Sequence, residues 1–396
     1  MGDRIVASPL VRYTSLMSNK LVRTVCVKLD VGQHDAVLTA TMRSFNEAAT
    51  WIAQVCWSEK ISNTTTVHHR VYQETRTRFG LGSQLAVCTR AKAVEAIKAG
   101  KQRMKDTCPT FGARGAVRYD ARTYRLMSLD HVSLNTLASR VVCRLLPGPR
   151  QHALLVDPAW VTGGADLVWR DGTYYLHITQ NQDAPATTAS GGVLGVDLGM
   201  INLATDSDGQ TFSGGKVKGL RAHYHSRRAV LQTVGTKSAK RRLRQVKRRE
   251  SRFQRDVNHG ISKTLVAKAA TSCKALSLEE LTGIRDRVHV RHEQRYQHHS
   301  WAFAQLREFV SYKAAAVGVP VVLVDPRNTS RTCSLCGHCA KGNRHSQAAF
   351  LCLSCGFAGN ADWNAATNIA SRASVNRPIV SPATRREGQA PLFRAG

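Results

Sequence analysis

The sequence predicts a multidomain protein of mixed α+β and α/β class, and three observations predict it. From residue 193 onward, apolar strand-like runs alternate with amphipathic helical patterns, which is the signature of an α/β core. Residues 108–180 instead break into short β-like runs separated by turn residues, while residues 36–107 carry helical periodicity and many cations. At 396 residues the chain has room for two or more domains, each able to bury a core of its own.

Charge narrows the function. The chain has 57 Lys+Arg against 27 Asp+Glu, a formal charge of +30, which sets up a field that collects polyanions. Nucleic acid is the first candidate, and binding driven by counterion release weakens steeply with salt. A ribosomal-type or membrane-surface protein also fits such a charge, but an apolar fraction of 42% with periodic helices favours folded domains over basic tails. MGDRIVASPL lacks an apolar leader core and Val6 breaks the myristoylation pattern. No uncharged apolar run is long enough to span a bilayer, so a soluble, cytoplasmic protein without a membrane partner is expected.

The elements follow in order. VRTVCVKLD, residues 22–30, alternates like a half-buried strand, and Leu38, Met42, Phe45, Ala49, Ile52 and Cys56 then line one helical face. A second helix is expected over 66–78 and a third from Leu81, with Ser83 as its N-cap and Arg90, Lys92, Lys98 and Lys101 available to a phosphate backbone. Asp171-Gly172, between alternating segments, signals a hairpin. NQDAPATTASGG, residues 181–192, reads as a domain boundary.

The second domain opens with an apolar strand that has Asp197 inside it, a Gly-bearing bend and a second strand turning through Asp208-Gly209. A long helical segment carries Arg241, Arg242, Arg244, Lys247, Arg248, Arg249 and Arg252, with only Glu250 and Asp256 nearby to neutralise them. So poor a complement of i,i+4 acids favours a helix that tracks nucleic-acid phosphates over a merely solvated face. The strand CKALSLEEL, a helix with Phe303, Leu306, Val310 and Ala314 on one face, and the strand VPVVLVDP continue the α/β pattern. The last stretch, with three prolines and no period, reads as disordered.

Five of the eleven cysteines, Cys333, Cys336, Cys339, Cys352 and Cys355, crowd one segment, which points to metal in a reducing compartment rather than to disulfides. The other six, scattered, read as small buried hydrophobes. Two Cys-x-x-Cys pairs separated by fifteen residues are the arithmetic of a zinc ribbon, with Cys333, Cys336, Cys352 and Cys355 as ligands and Cys339 or His338 as the alternative for a swapped position. Four thiolates close the coordination sphere, so this zinc is structural.

Three acids stand where acids are costly or exposed at element ends: Asp197 in GVDLG, Glu279 in SLEEL and Asp362 in NADWNAATN. Asp197, the least comfortable of them, alone reads as a buried cap or turn-former. Converging in one α/β domain, the three acids suit Mg²⁺, a hard cation that takes carboxylate oxygen and keeps waters. Two such ions activate a water and stabilise the leaving oxygen of a phosphodiester, chemistry that matches a polyanion-binding chain.

GVDLGMINLAT, LSLEELTG, VVLVDPRNTSRTCSLCG and CGFAGNADWNAATNIA, in this order, resemble the motifs of the TnpB proteins of insertion-sequence transposons and of the related miniature type V CRISPR effectors. The resemblance is specific over about residues 193–370 and looser before it. It implies an N-terminal β-barrel (wedge) domain in residues 1–35 and 108–185, interrupted by a helical recognition domain in 36–107. A RuvC-like RNase H fold then occupies 186–326 and 359–375, interrupted by the zinc ribbon at 327–358 and followed by a disordered tail at 376–396. By resemblance Asp197, Glu279 and Asp362 are the catalytic Mg²⁺-binding acids, with Glu280 as the rival of Glu279, and the four cysteines are the zinc ligands. The implied activity is RNA-guided DNA cleavage with a guide RNA and a target DNA as partners. The alternatives are a CRISPR effector using a CRISPR RNA, or an RNA-guided repressor that binds without cutting. Guide sequence, flanking DNA motif and oligomeric state are not encoded in these motifs.

Overall fold

The computed structural model describes residues 20–103, 106–187, 191–281 and 303–375. The tail at 376–396, the first nineteen residues of the barrel segment and the start of the predicted helix before Phe303 lie outside the described residues. The chain divides into two units, Met1–Ala184 and Pro185–Gly396.

In the first unit, β1 (Lys20–Asp30) leads into α1 (Asp35–Ser58), α2 (Thr64–Phe79) and α3 (Ser83–Gln102). Six strands and a short helix follow: β2 (Val117–Tyr119), β3 (Tyr124–Leu126), β4 (His131–Asn135), β5 (Arg140–Leu146), α4 (Pro149–Val156), β6 (Val161–Arg170) and β7 (Thr173–Asp183). The strands form one antiparallel sheet in the order β2-β6-β7-β1-β5-β4-β3. The sheet curls strongly. Tyr124 on edge strand β3 donates its hydroxyl to Gly163 O near the opposite edge at 2.5 Å, and Tyr119 of β2 donates to Asn135 O at the end of β4 at 3.0 Å. The register slip between Thr162 and Ala165 spans Gly163-Gly164, and an irregularity of this kind lets a strand bend sharply. Asp171 and Gly172 both take positive φ (52° and 83°), as the two-residue hairpin signal requires.

The predicted stripe of α1 is buried from Leu38 to Cys56. Two details differ from the sequence reading. Gly82 is the N-cap of α3 and Ser83 its first helical residue. Lys92 does not face solvent: its Nζ donates to Asn46 Oδ1 and Ala116 O, both at 2.6 Å, and burial pulls its pKa down to about 8. The amphipathic reading missed α4 because PRQHALLV buries no residue fully and so carries no core stripe.

The second unit contains β8 (Val193–Asp197), β9 (Asn202–Asp206), β10 (Thr211–Ser213), α5 (Gly215–Val234), α6 (Lys237–Thr271), β11 (Ala275–Glu279), α7 (Phe303–Ala316), β12 (Val321–Val324), β13 (Ala349–Leu351), β14 (Ala358–Asn360) and α8 (Ala361–Val375). The sheet order is β10-β9-β8-β11-β12, antiparallel across β10, β9 and β8 and parallel across β8, β11 and β12. The cation-rich segment read as a long helix is the single helix α6, and α5 before it ends where Gly235 takes φ 64° as a left-handed cap.

Alternation along the strands decides which helices cover which face. Leu194 and Val196 of β8, with Leu276 and Leu278 of β11, pack against Ile261 and Leu265 of α6 and Leu306 and Val310 of α7. The intervening residues face α8: Ser277 donates to Ile369 O, and Gly195 lies so close that a Cβ there would stand 2.1 Å from Ala366 O. Only glycine admits that approach. Among the described residues no helix is long and apolar enough to cross a membrane.

Candidate active site and metal centre

The same alternation aims two acids at one place. Asp197 and Glu279 end β8 and β11, one step beyond the paired Val196 and Leu278, and their parity puts both on the face covered by α8. Asp197 is therefore at the strand's end rather than within it. Asp362 enters from the first turn of α8, where Asn360 Oδ1 accepts from the backbone N of Asp362 and Trp363 at 2.9 and 3.0 Å, an N-cap that fixes the helix start. Burial, then the Glu279 and Asp362 carboxylates, push the Asp197 pKa up to about 7, against the opposing pull of Arg344. Burial also raises Glu279, opposed by its hydrogen bond from Thr329. Carboxylates that disfavour one another's charge in a desolvated site gain from a divalent cation, a hard ion that takes oxygen donors.

Two of the three acids have side-chain positioning partners. Thr329 Oγ1 donates to Glu279 Oε1 at 2.5 Å, and Asp362 accepts from Asn202 Nδ2 (2.9 Å) and Arg344 Nη2 (3.1 Å). Glu280 turns elsewhere, into an ion pair with Arg307 of α7.

Cys333, Cys336, Cys352 and Cys355 bring their Sγ atoms within 4.8 Å of one another. The Cys333–Cys355 and Cys336–Cys352 separations are 3.7 and 3.6 Å. A tetrahedral ion with metal–sulfur bonds of about 2.3 Å has edges of about 3.8 Å, so the site fits zinc. The two knuckles share one geometry: Gly337 and Gly356, at φ 76° and 72°, donate their N–H to Cys333 O and Cys352 O, each at 3.0 Å. Cys339 and His338 stand outside the cluster.

The cysteine segment is tied to the acids at several points. Asn364 bonds both Thr332 O (2.8 Å) and Ser334 N (2.9 Å), and Asn368 bonds Thr329 O (2.8 Å) and Thr332 O (2.7 Å). Ala361, beside Asp362, is buried in the ribbon's small core with Cys333, Cys352 and Phe350. Sequence reasoning missed Thr329, Arg344, Asn202, Asn364 and Asn368. One signal was available, since Asn360, Asn364 and Asn368 recur at four-residue steps and so share a helical face.

Arg241, Arg242, Arg244, Lys247, Arg248, Arg249 and Arg252 are all exposed on α6. Glu250, within that run, is buried and paired with Arg228 of α5.

Residues 176–282 match the family described as a probable transposase, and residues 303–369 match the Cas12f1-like TNB domain. The chain resembles the TnpB-like proteins over these segments. Over 219 residues it is 30% identical to the CRISPR-associated endodeoxyribonuclease Cas12f1 of Sulfoacidibacillus thermotolerans, covering 51% of this chain and 50% of that one. Over 122 residues it is 33% identical to a TnpB-like protein of Methanocaldococcus jannaschii, covering 31% of this chain and 43% of the relative. The chain thus spans about half or less of the length of these curated relatives. Its fold is also that of the Cas12f1 chain in a cryo-EM complex with single-guide RNA and target DNA, with TM-score 0.63 at 14% identity, covering 84% of this chain and 82% of that one.

Proposed function

We propose that this chain is an RNA-guided DNA endonuclease, and that Asp197, Glu279 and Asp362 form its hydrolytic centre. One observation carries the reading: two parallel strands and one helix start deliver three carboxylates to a common, desolvated place, where burial and then the acids at 279 and 362 push the Asp197 pKa up. Burying mutually repelling acids destabilises a fold, so they persist where a function needs them. The sheet order supports a RuvC-like RNase H fold for residues 186–326 and 359–375, with the zinc ribbon at 327–358 as an insertion. The curled sheet supports a β-barrel wedge domain in residues 1–35 and 108–185 carrying the helical recognition domain 36–107.

When bound, two Mg²⁺ ions would supply an activated water and charge stabilisation at the leaving oxygen. The chain's own part is to hold them with three carboxylates and to keep those carboxylates oriented through Thr329, Asn202 and Arg344. Glu280, engaged with Arg307, is not assigned a role in this centre. The cations of α6 would neutralise phosphates of the guide RNA or its heteroduplex, interactions that set affinity without reading sequence. The TnpB-like and transposase matches favour a transposon-derived guide, and a short motif beside the target would be read by the protein. The similarity to Cas12f1 keeps a CRISPR RNA as the second reading.

The test is to purify the chain with its co-expressed RNA, sequence that RNA, and challenge a plasmid library with randomised flanks in Mg²⁺. Guide-directed cuts beside an enriched flank are expected. Guide-directed binding without cutting would leave the repressor, and loss of both would overturn guidance itself.

A further inference from the structure

We infer that the cysteine ribbon is a positioning device for the carboxylate centre, so that zinc occupancy sets the affinity of Asp197, Glu279 and Asp362 for their divalent cation. The inference rests on the metal-nuclease reading above and adds a coupling between its two metal sites.

The coupling runs through two short routes. On the first, Thr329 lies only four residues before Cys333, is buried, and donates its hydroxyl to Glu279 at 2.5 Å. Its backbone is held by Asn368, and the Thr332–Ser334 backbone entering the first knuckle is held by Asn364 and Asn368. On the second, Asn343 is fully buried between the knuckles, donating to Arg331 O (3.0 Å) and His338 O (3.1 Å) and accepting from Leu353 N (3.0 Å). The next residue, Arg344, is braced on Gln347 O at 2.9 Å and reaches Asp362 at 3.1 Å. The second knuckle also leads through β14 directly into the Asn360 cap and Asp362.

The ribbon has little else to hold it. Its core is Cys333, Phe350, Cys352 and Ala361, with Phe357 against them, so two of the four buried members are themselves zinc ligands. A core this small does not order a loop domain without its ion. Loss of zinc therefore frees the segments bearing Thr329 and Arg344. Groups that orient metal ligands typically change metal affinity by about 10–100-fold when removed.

The experiment measures Mn²⁺ binding as a Mg²⁺ surrogate, by the electron paramagnetic resonance signal of the free ion, on the full chain with its copurified RNA. Zinc per chain is determined in every sample, and binding that survives Asp197→Asn is subtracted. With zinc retained, Thr329→Val is expected to weaken Mn²⁺ binding about tenfold, while Thr329→Ser, which keeps the hydroxyl, restores it. Zinc-stripped wild type is expected to weaken comparably and to recover when zinc is returned. Unchanged Mn²⁺ affinity in either zinc-stripped wild type or zinc-loaded Thr329→Val overturns the coupling. Absence of Asp197-dependent Mn²⁺ binding in zinc-loaded wild type would instead overturn the metal-nuclease reading beneath it.

Discussion

Arg344 Nη2 lies 3.1 Å from Asp362 Oδ1, so a guanidinium from the cysteine segment is seated on an acid of the α/β sheet's helical cover. The same cation lowers the pKa of Asp197, against the larger effects of burial and the two neighbouring carboxylates. Removing it leaves those effects unopposed. Arg344→Gln is expected to move the pH midpoint of divalent-metal binding upward by roughly one unit, with Arg344→Lys intermediate, in titrations followed by calorimetry.

The pH dependence of the wild type has a definite sign. Asp197 is raised from 3.8 to about 7, so the folded state binds its proton more tightly than the unfolded chain does. Its contribution to stability is fully present below pH 3.8 and is lost as pH rises toward about 7. With zinc retained and no magnesium added, Asp197→Asn should flatten this part of the stability–pH curve in thermal unfolding. Metal binding, which needs the carboxylate, should tighten over the same window and release a proton, a release that calorimetry in buffers of different ionisation enthalpy detects.

Gly195 marks the closest approach of α8 to the sheet, with a Cβ there placed 2.1 Å from Ala366 O and 2.5 Å from Ala370 N. Backbone atoms cannot swing aside as a side chain does. Gly195→Ala should lower stability by about 3 kcal/mol, the upper end of overpacking, and shift Asp362 with its helix. Chemical denaturation reports the first effect and reduced divalent binding the second.

The exposed cations of α6 are proposed to neutralise nucleic-acid phosphates. Changing Arg241, Arg244 and Arg252 together to Gln should weaken guide-RNA binding and flatten its log–log salt dependence by about 0.7–0.9 for each phosphate that is no longer neutralised. Circular dichroism should remain unchanged, because all three are exposed.

Much of this arrangement was legible in the sequence, for identifiable reasons. The buried stripe of α1, the Asp171-Gly172 hairpin and the paired cysteine knuckles each have a local signal: a 3.6-residue period, a required positive φ, a fixed ligand spacing. Asp197 and Glu279 stood out because apolar strands make a carboxylate conspicuous, and Asp362 through the NADWNAATN motif around it. Lys92 did not stand out, since its burial depends on Asn46 and Ala116, whose proximity arises only in the tertiary structure. Thr329 and Arg344 were invisible for the same reason, because a threonine or arginine in a loop acquires its meaning from the carboxylate it meets. The choice between Glu279 and Glu280 turns on strand parity, which directs the first toward α8 while the second meets Arg307.

Parity makes the central claim measurable. Single-turnover cleavage of a guide-matched plasmid in Mg²⁺ should fall by about 1,000-fold or more in Asp197→Asn, Glu279→Gln and Asp362→Asn, with guide and target binding retained, as expected when metal-ion catalysis worth several kcal/mol is lost. Glu280→Gln should cut at close to the wild-type rate. Full activity in Glu279→Gln, or equal losses in Glu279→Gln and Glu280→Gln, would contradict the assignment of the hydrolytic centre.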